Sequence, residues 1–199
     1  MGSAVPSRSQ RREKILEAAG NAFLANGYDD VTMQDVAREA QISRAALYTY
    51  FGSKPEVFNG VVEFFLSVIV QSSVDALEKV GEEATIYDKL FAVFDARQRL
   101  WLGLDSSQKS TFSFELVKNH HKIIEENGAL PIQKVVKDII TQAYATGELP
   151  TLAHTPPPHT VADTIFLSAT AILFADASVK TKSENLVALL SVFSRGLAN

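Results

Sequence analysis

The stretch from Thr32 to Lys54, TMQDVAREAQISRAALYTYFGSK, constrains this chain most, because it encodes two short helices with their own start signals and almost no chain between them. Thr32 with Asp35 three positions on pairs an N-cap with a first-turn carboxylate, and Val36, Ala37 and Ala40 form an apolar face behind it. Ser43 caps a second helix whose apolar side is Ala46, Leu47, Tyr50 and Phe51. The spacing predicts helices near 33–40 and 44–51 joined by a turn of about three residues. So short a link matches the helix-turn-helix, in which the second helix lies in the DNA major groove and the first crosses the backbone.

The neighbouring residues supply the rest of a small domain. Ile15, Ala19 and Phe23 recur every fourth position and give an earlier helix, about 11–26, an inward stripe that Val31, Val36, Ile42, Leu47 and Phe51 complete. This leaves Ser43, Arg44, Ala45, Tyr48 and Thr49 on the outer side of the second short helix: one strong donor, small residues that allow close approach, and hydroxyls suited to phosphates or base edges. Arg44, at the helix start, is the candidate base reader, since its fork matches the two acceptors of guanine. Thr32, Tyr48, Tyr50 and Lys54 are assigned to phosphates, and Gln34 opens the first helix of the pair. Tyr50 has a second reading as a core residue with only its hydroxyl outside.

With these residues in view, the run GYDDVTMQDVA, AQIS and LYTYFGSKPEVF between Gly27 and Phe58 resembles the DNA-binding domain of the TetR family of transcriptional regulators. The resemblance covers a quarter of the chain. It implies a three-helix reading domain, a fourth helix leading into the remainder, and a final helix pair that joins a twin copy. The chain departs from the family pattern at Gln41, where glycine is usual, and at Ala45 and Ala46. Gln41 is thereby placed at a turn position with positive φ that glycine would occupy with less strain.

Charge agrees with this division. The chain carries 19 Lys and Arg against 23 Asp and Glu, so it is not coated for nucleic acid all over. Residues 1–54 are nevertheless net +1 and the rest net −5, and Arg8, Arg11, Arg12 and Lys14 make the beginning locally basic. So weak a charge implies that affinity depends on two copies acting together.

Residues 55–199 form a second domain, helical and acidic. Helices are predicted from Ser53 to about Val80, with an interruption near Ser72 and Ser73, and at about 86–102, 107–126, 132–146, 160–179 and 183–197. Gly81, Gly103, Asn127-Gly128, Gly147 and Pro156-Pro157-Pro158 separate them. The fold class is therefore all-α, with residues 1–10 as a disordered or vector-derived arm, 11–54 as the helix-turn-helix domain and 55–199 as the ligand-binding and dimerisation domain. No uninterrupted apolar run of about 18 residues and no hydrophobic leader stands out, and there are no cysteines, so a cytoplasmic protein without membrane contact is expected.

The segment Thr160 to Ala177 is apolar around most of its circumference and must be covered on several sides. Val161, Ile165, Ala169, Ile172 and Leu173 can pack inside the subunit, and the family resemblance implies a homodimer interface, to which Ile165, Ala169 and Ile172 with Leu186, Leu189, Leu190 and Phe193 are assigned. An ordinary buried helix is the alternative. Phe64, Phe65, Phe91, Phe94, Trp101, Phe112, Phe114, Tyr144 and Phe166, with His121 as a polar member, are candidates for an apolar inducer cavity, though most such aromatics only pack. Arg97, Arg99, Tyr87 and His120 are further polar candidates. Adjacent histidines point about 100° apart on a helix, so no metal is expected, nor any cofactor. No nucleophile–base pair or phosphate loop suggests an enzyme. The expected protein is a dimeric repressor of a palindromic operator released by a small apolar or aromatic inducer. The alternative is a DNA-bound adaptor whose helical domain holds a protein partner.

Overall fold

The structure, a computed structural model, describes residues 7–103, 122–150 and 156–196. Within them the regular elements are helical, as the periodicity predicts: α1 (Arg8–Asn26), α2 (Met33–Glu39), α3 (Arg44–Tyr48), α4 (Lys54–Val80), α5 (Ile86–Leu102), α6 (Leu130–Thr146), α7 (Pro158–Phe174) and α8 (Val179–Gly196), with a π turn at Glu125–Ala129 ahead of α6. The chain groups into two compact units, residues 7–67 with 122–127 and residues 68–103 with 128–196. Most of the helix predicted over 107–126 lies outside the described residues.

Several boundaries differ from the sequence reading, each for a local reason. α1 begins at Arg8 because Ser7 and Gln10 cap it reciprocally: the Gln10 N–H donates to Ser7 Oγ at 3.2 Å and the Ser7 N–H to Gln10 Oε1 at 2.8 Å. Ser7 to Gln10 are therefore ordered helix start, not arm. α3 is one turn shorter than predicted, because the N–H groups of Thr49 and Tyr50 bond the carbonyls three residues back and tighten the end. α4 runs unbroken past Ser72 and Ser73. The buried Ser73 hydroxyl donates to the Ile69 carbonyl at 3.0 Å, so it is satisfied inside the helix. α7 stops at Phe174, and Ser178 starts α8 early by accepting the Thr181 N–H at 3.1 Å.

The first unit has one core. Leu16, Ala19 and Phe23 of α1, Val36 and Ala37 of α2, Leu47 of α3, Phe51, and Val57, Phe58, Val61 and Val62 of α4 are all buried in it. Phe23 meets Phe58 edge-on at 5.2 Å between ring centroids. Gly60 lets α4 approach α1, since a Cβ there would stand 2.8 Å from Leu16 Cδ2. At the α2–α3 turn Gln41 has φ 56°, the one non-glycine residue at positive φ among the described residues, as its departure from the family pattern implied. The left-handed conformation disfavours a side chain with a Cβ. Gln41→Gly is expected to stabilise the first unit by about 1 kcal/mol, read as a higher urea midpoint at unchanged slope.

The second unit packs α6 along α7, α5 against α6 and α8, and α7 against α8. Its core joins Leu90, Val93 and Phe94 of α5, Val136 and Ile140 of α6, Ile165 and Phe166 of α7, and Leu186 and Leu190 of α8. Glu148 accepts the first N–H of α5, from Ile86, at 2.6 Å and so ties the start of α5 to the end of α6. One expectation needs correction: α4 is long and apolar enough to cross a bilayer, with a mean hydropathy of 1.6 over 18 residues. Of that stretch 39% is buried, and Val57, Phe58, Val61, Val62 and Ile69 of α4 pack within the chain.

Candidate DNA-binding interface

Both short helices start on side-chain caps. Thr32 Oγ1 accepts the Asp35 N–H at 3.2 Å and shares its proton with Asp35 Oδ2 at 2.6 Å, while that carboxylate accepts the Thr32 N–H at 3.0 Å. The Thr32 hydroxyl, then its N–H, and more weakly Arg38, hold the Asp35 carboxyl below the usual range. Ser43 Oγ accepts the Ala46 N–H at 3.0 Å. The Thr32 and Ser43 hydroxyls are thus committed to starting α2 and α3, and what each can still offer DNA is its place at a helix N-terminus.

Burying Leu47 and Phe51 turns the opposite face of α3 outward. Arg44, Ala45, Tyr48 and Thr49 are exposed there and Gln34 is exposed on α2. Arg44 Nη2 donates to the Tyr48 hydroxyl at 3.4 Å and its guanidinium lies 5.6 Å from that ring, so the exposed side chain rests on Tyr48. Thr49 bonds back to the Ala46 carbonyl at 2.7 Å. Tyr50 packs partly buried against the first core, which favours the reading of it as a core residue with a polar tip.

Two basic residues are placed differently from the sequence expectation. Lys54, assigned to phosphates, turns inward: its Nζ donates to the Tyr28 carbonyl at 2.9 Å and the Asp29 carbonyl at 3.2 Å and sits 4.4 Å over the Tyr28 ring. Its charge is engaged in holding the 28–29 turn, because the start of α4 passes beside it. Arg8, read only as part of a basic arm, reaches the end of α3, donating to the Thr49 carbonyl at 3.4 Å and lying 5.8 Å over the Tyr50 ring. The Ser7-x-x-Gln10 cap was the sequence signal that could have placed it.

The residues assigned to ligand and twin separate in space. Phe64 and Phe65 pack on the core of the first unit, whereas Phe91, Phe94, Tyr144 and Phe166 gather in the second. They do not form one set, because the chain divides into its two units within α4, between Ser67 and Val68. The Trp101 side chain, Phe112, Phe114 and His121 lie outside the described residues. The Tyr144 hydroxyl is shielded from water with no hydrogen-bond partner among the described residues, and that desolvation raises its pKa. A groove of about 1320 Å³, which the sequence did not indicate, lies in the second unit, lined by Val74, Leu77, Ile86 and Ile139 and by Glu78, Glu82, Glu83, Asp138, Glu148 and Lys89. None of the predicted aromatics lines it.

Of the residues assigned to a twin, Ile165, Ala169, Leu186 and Leu190 are buried in the chain's own second core. Ile172, Leu189 and Phe193 are partly buried. The correction follows from helix periodicity: the inward stripes of α7 and α8 are the more apolar ones, and the faces left outside carry Leu167 at 64% exposure, Val192 at 72%, Val187 and Ala171.

Comparison with known proteins bears on this geometry. The family profile described as bacterial regulatory proteins, tetR family, matches residues 15–61. The nucleoid occlusion factor SlmA of Aliivibrio fischeri is 31% identical over 143 residues, 68% of this chain and 71% of that protein. The biofilm operon icaADBC HTH-type negative transcriptional regulator IcaR of Staphylococcus epidermidis is 25% identical over 55% of this chain and 60% of its own length. The chain spans 41% to 64% of the length of several curated relatives that it matches. A TetR-family transcriptional regulator of Mesorhizobium loti has a solved structure that aligns with a TM-score of 0.71 at 19% identity, covering 94% of this chain and 97% of that one.

Proposed function

Because this chain belongs to the TetR family of bacterial regulatory proteins, and so is a DNA-binding transcriptional regulator, we propose that it is a dimeric repressor whose paired α3 helices read a palindromic operator. The observation that carries the reading is the α3 face, where Arg44, Ala45, Tyr48 and Thr49 are exposed around a capped helix start. Arg44 reads a guanine edge. Gln34, Tyr48, Thr49 and Tyr50 contact the backbone with the starts of α2 and α3 at Thr32 and Ser43. The repressing sense takes support from IcaR, a negative regulator by name.

Twofold symmetry comes from the exposed apolar stripes of α7 and α8 around Leu167, Ala171, Val187 and Val192, self-complementary surface of the kind that closes a dimer. The second unit, residues 68–103 and 128–196, senses a small apolar or aromatic inducer through Phe91, Phe94, Tyr144 and Phe166. α4 belongs to both units and is the lever between them. The inducer acts only through unequal affinity for two conformations, and full release needs about 5.5 kcal/mol of such difference. The site of action is the cytoplasm.

Selection of bound sequences from randomised duplex DNA at two salt concentrations tests this. A palindromic consensus is expected, and salt-sensitive binding without one refutes operator reading. On the selected site Arg44→Ala is expected to weaken binding by about 1–3 kcal/mol and to relax preference at one base pair per half-site. Equal loss on every sequence makes Arg44 a phosphate contact instead.

A second reading draws on the likeness to SlmA, a nucleoid occlusion factor, and on the largely acid-lined groove of the second unit. In it the DNA-bound chain is an adaptor for a protein partner. A small molecule that raises the melting temperature and releases DNA supports the sensor. A co-purifying protein with no ligand response supports the adaptor.

A further inference from the structure

We propose that Arg97 anchors the acid group of the sensed molecule, so that the inducer is an apolar or aromatic acid. The proposal rests on the sensor reading and specifies its ligand class. Arg97 projects from α5 against α7, where its Nη1 donates to Thr170 Oγ1 at 3.0 Å and its guanidinium lies 5.3 Å from the Phe166 ring centroid. A guanidinium carries five N–H donors, and Thr170 takes one.

No carboxylate meets this cation among the described residues. Asp95, on the same helix, is paired with Arg99 one turn further on, and Asp163, on α7, accepts from Gln133 of α6. Burial lowers the Arg97 pKa to about 10, which still leaves the group charged at neutral pH. A desolvated cation whose neighbours are a hydroxyl and an aromatic face is an unfavourable arrangement for a folded chain alone, and a carboxylate with two parallel N–H···O bonds is what relieves it.

Phe166, 6% exposed, belongs to the second core, and its ring 5.3 Å from the guanidinium places the charge at the edge of that core. The Thr170 hydroxyl accepts from Arg97 and keeps its own proton for a ligand oxygen. Arg97 as a residue is half-buried, with its guanidinium the desolvated part. A neutral apolar compound has nothing to offer the guanidinium, and a cationic one is repelled.

The test uses the intact chain and matched probes, 4-phenylbutyrate and octanoate against their primary amides, read by melting temperature and by release of the selected operator. The acids are expected to raise the melting temperature by several degrees and the amides not to. Arg97→Gln is expected to abolish the response. Arg97→Met is expected to melt no lower than wild type without probe, since an apolar side chain replaces an unpaired buried charge; a large drop in its melting temperature overturns the proposal, because it marks a structural arginine. Equal shifts from acid and amide, no shift from either acid, or an Arg97→Gln protein that responds like wild type also overturn it. Should Arg97→Gln not fold, Arg97→Lys decides: binding of the acids weakened about tenfold supports the forked anchor, and unchanged binding refutes it. Release of DNA by the amides leaves the sensor standing without the acid anchor. Acid binding through Arg97 without DNA release leaves the acid site standing and refutes the inducer.

Discussion

Leu167→Glu combined with Val192→Glu is expected to convert the protein to a monomer and to lower operator affinity by about a hundredfold or more, the loss that follows when two linked half-site contacts become independent. Both residues are largely exposed, at 64% and 72%, so the glutamates meet water within one chain and the helix content is expected to stay unchanged. In a dimer the same carboxylates are buried opposite their own copies, where like charges in apolar surroundings are strongly unfavourable. Sedimentation with DNA binding on the same samples checks this. A double variant that stays dimeric places the twin contact elsewhere, and a monomer with full affinity removes the need for two copies. Ile165→Ala is the contrasting change: that residue is 1% exposed within the chain, so its loss acts on stability first.

Phe51→Ala is expected to cost about 3–5 kcal/mol, the usual penalty for emptying a large aromatic site. Phe51 is 1% exposed, the Arg12 guanidinium lies 5.1 Å from its ring centroid, and its Cε1 would be 3.3 Å from a Cβ at position 60. So tightly surrounded a site has little room to collapse around a cavity. A unit of this size holds about 3–9 kcal/mol in all, so the loss takes a large part of it. The measurable result is a first unit that melts tens of degrees lower, and operator binding lost at temperatures where wild type binds fully. A change below about 1 kcal/mol in urea unfolding contradicts the packing described.

Much of the reading unit was legible in the residues because its signals are local. A cap such as Thr32 with Asp35, or Ser43 ahead of Arg44, acts within one helical turn, and the apolar spacing that buries Leu47 and Phe51 also decides that Arg44, Ala45 and Tyr48 stay outside. Even the strain at Gln41 could be anticipated, because the family resemblance places glycine at that turn position. The intramolecular bonds of Lys54 were not legible, because its partners, the carbonyls of Tyr28 and Asp29, lie more than twenty residues away in sequence. Its direction depends on where the turn after α1 lands, not on its own helix.

The second unit shows the complementary case. Periodicity required α7 to be covered on several sides and left open by what; the family resemblance gave Ile165, Ala169, Leu186 and Leu190 to a twin, whereas they fill the chain's own core. A helix that is apolar nearly all round has no sequence feature that tells an intramolecular neighbour from an intermolecular one. The aromatics met the same limit, with Phe64 and Phe65 going to one core and Phe91, Phe94 and Phe166 to the other. The helices, their caps and the outward face of α3 were legible because they follow from interactions a few residues apart. Which apolar faces meet, which charges such as Lys54 are engaged and which such as Arg97 have no carboxylate among the described residues depend on contacts between residues distant in the chain.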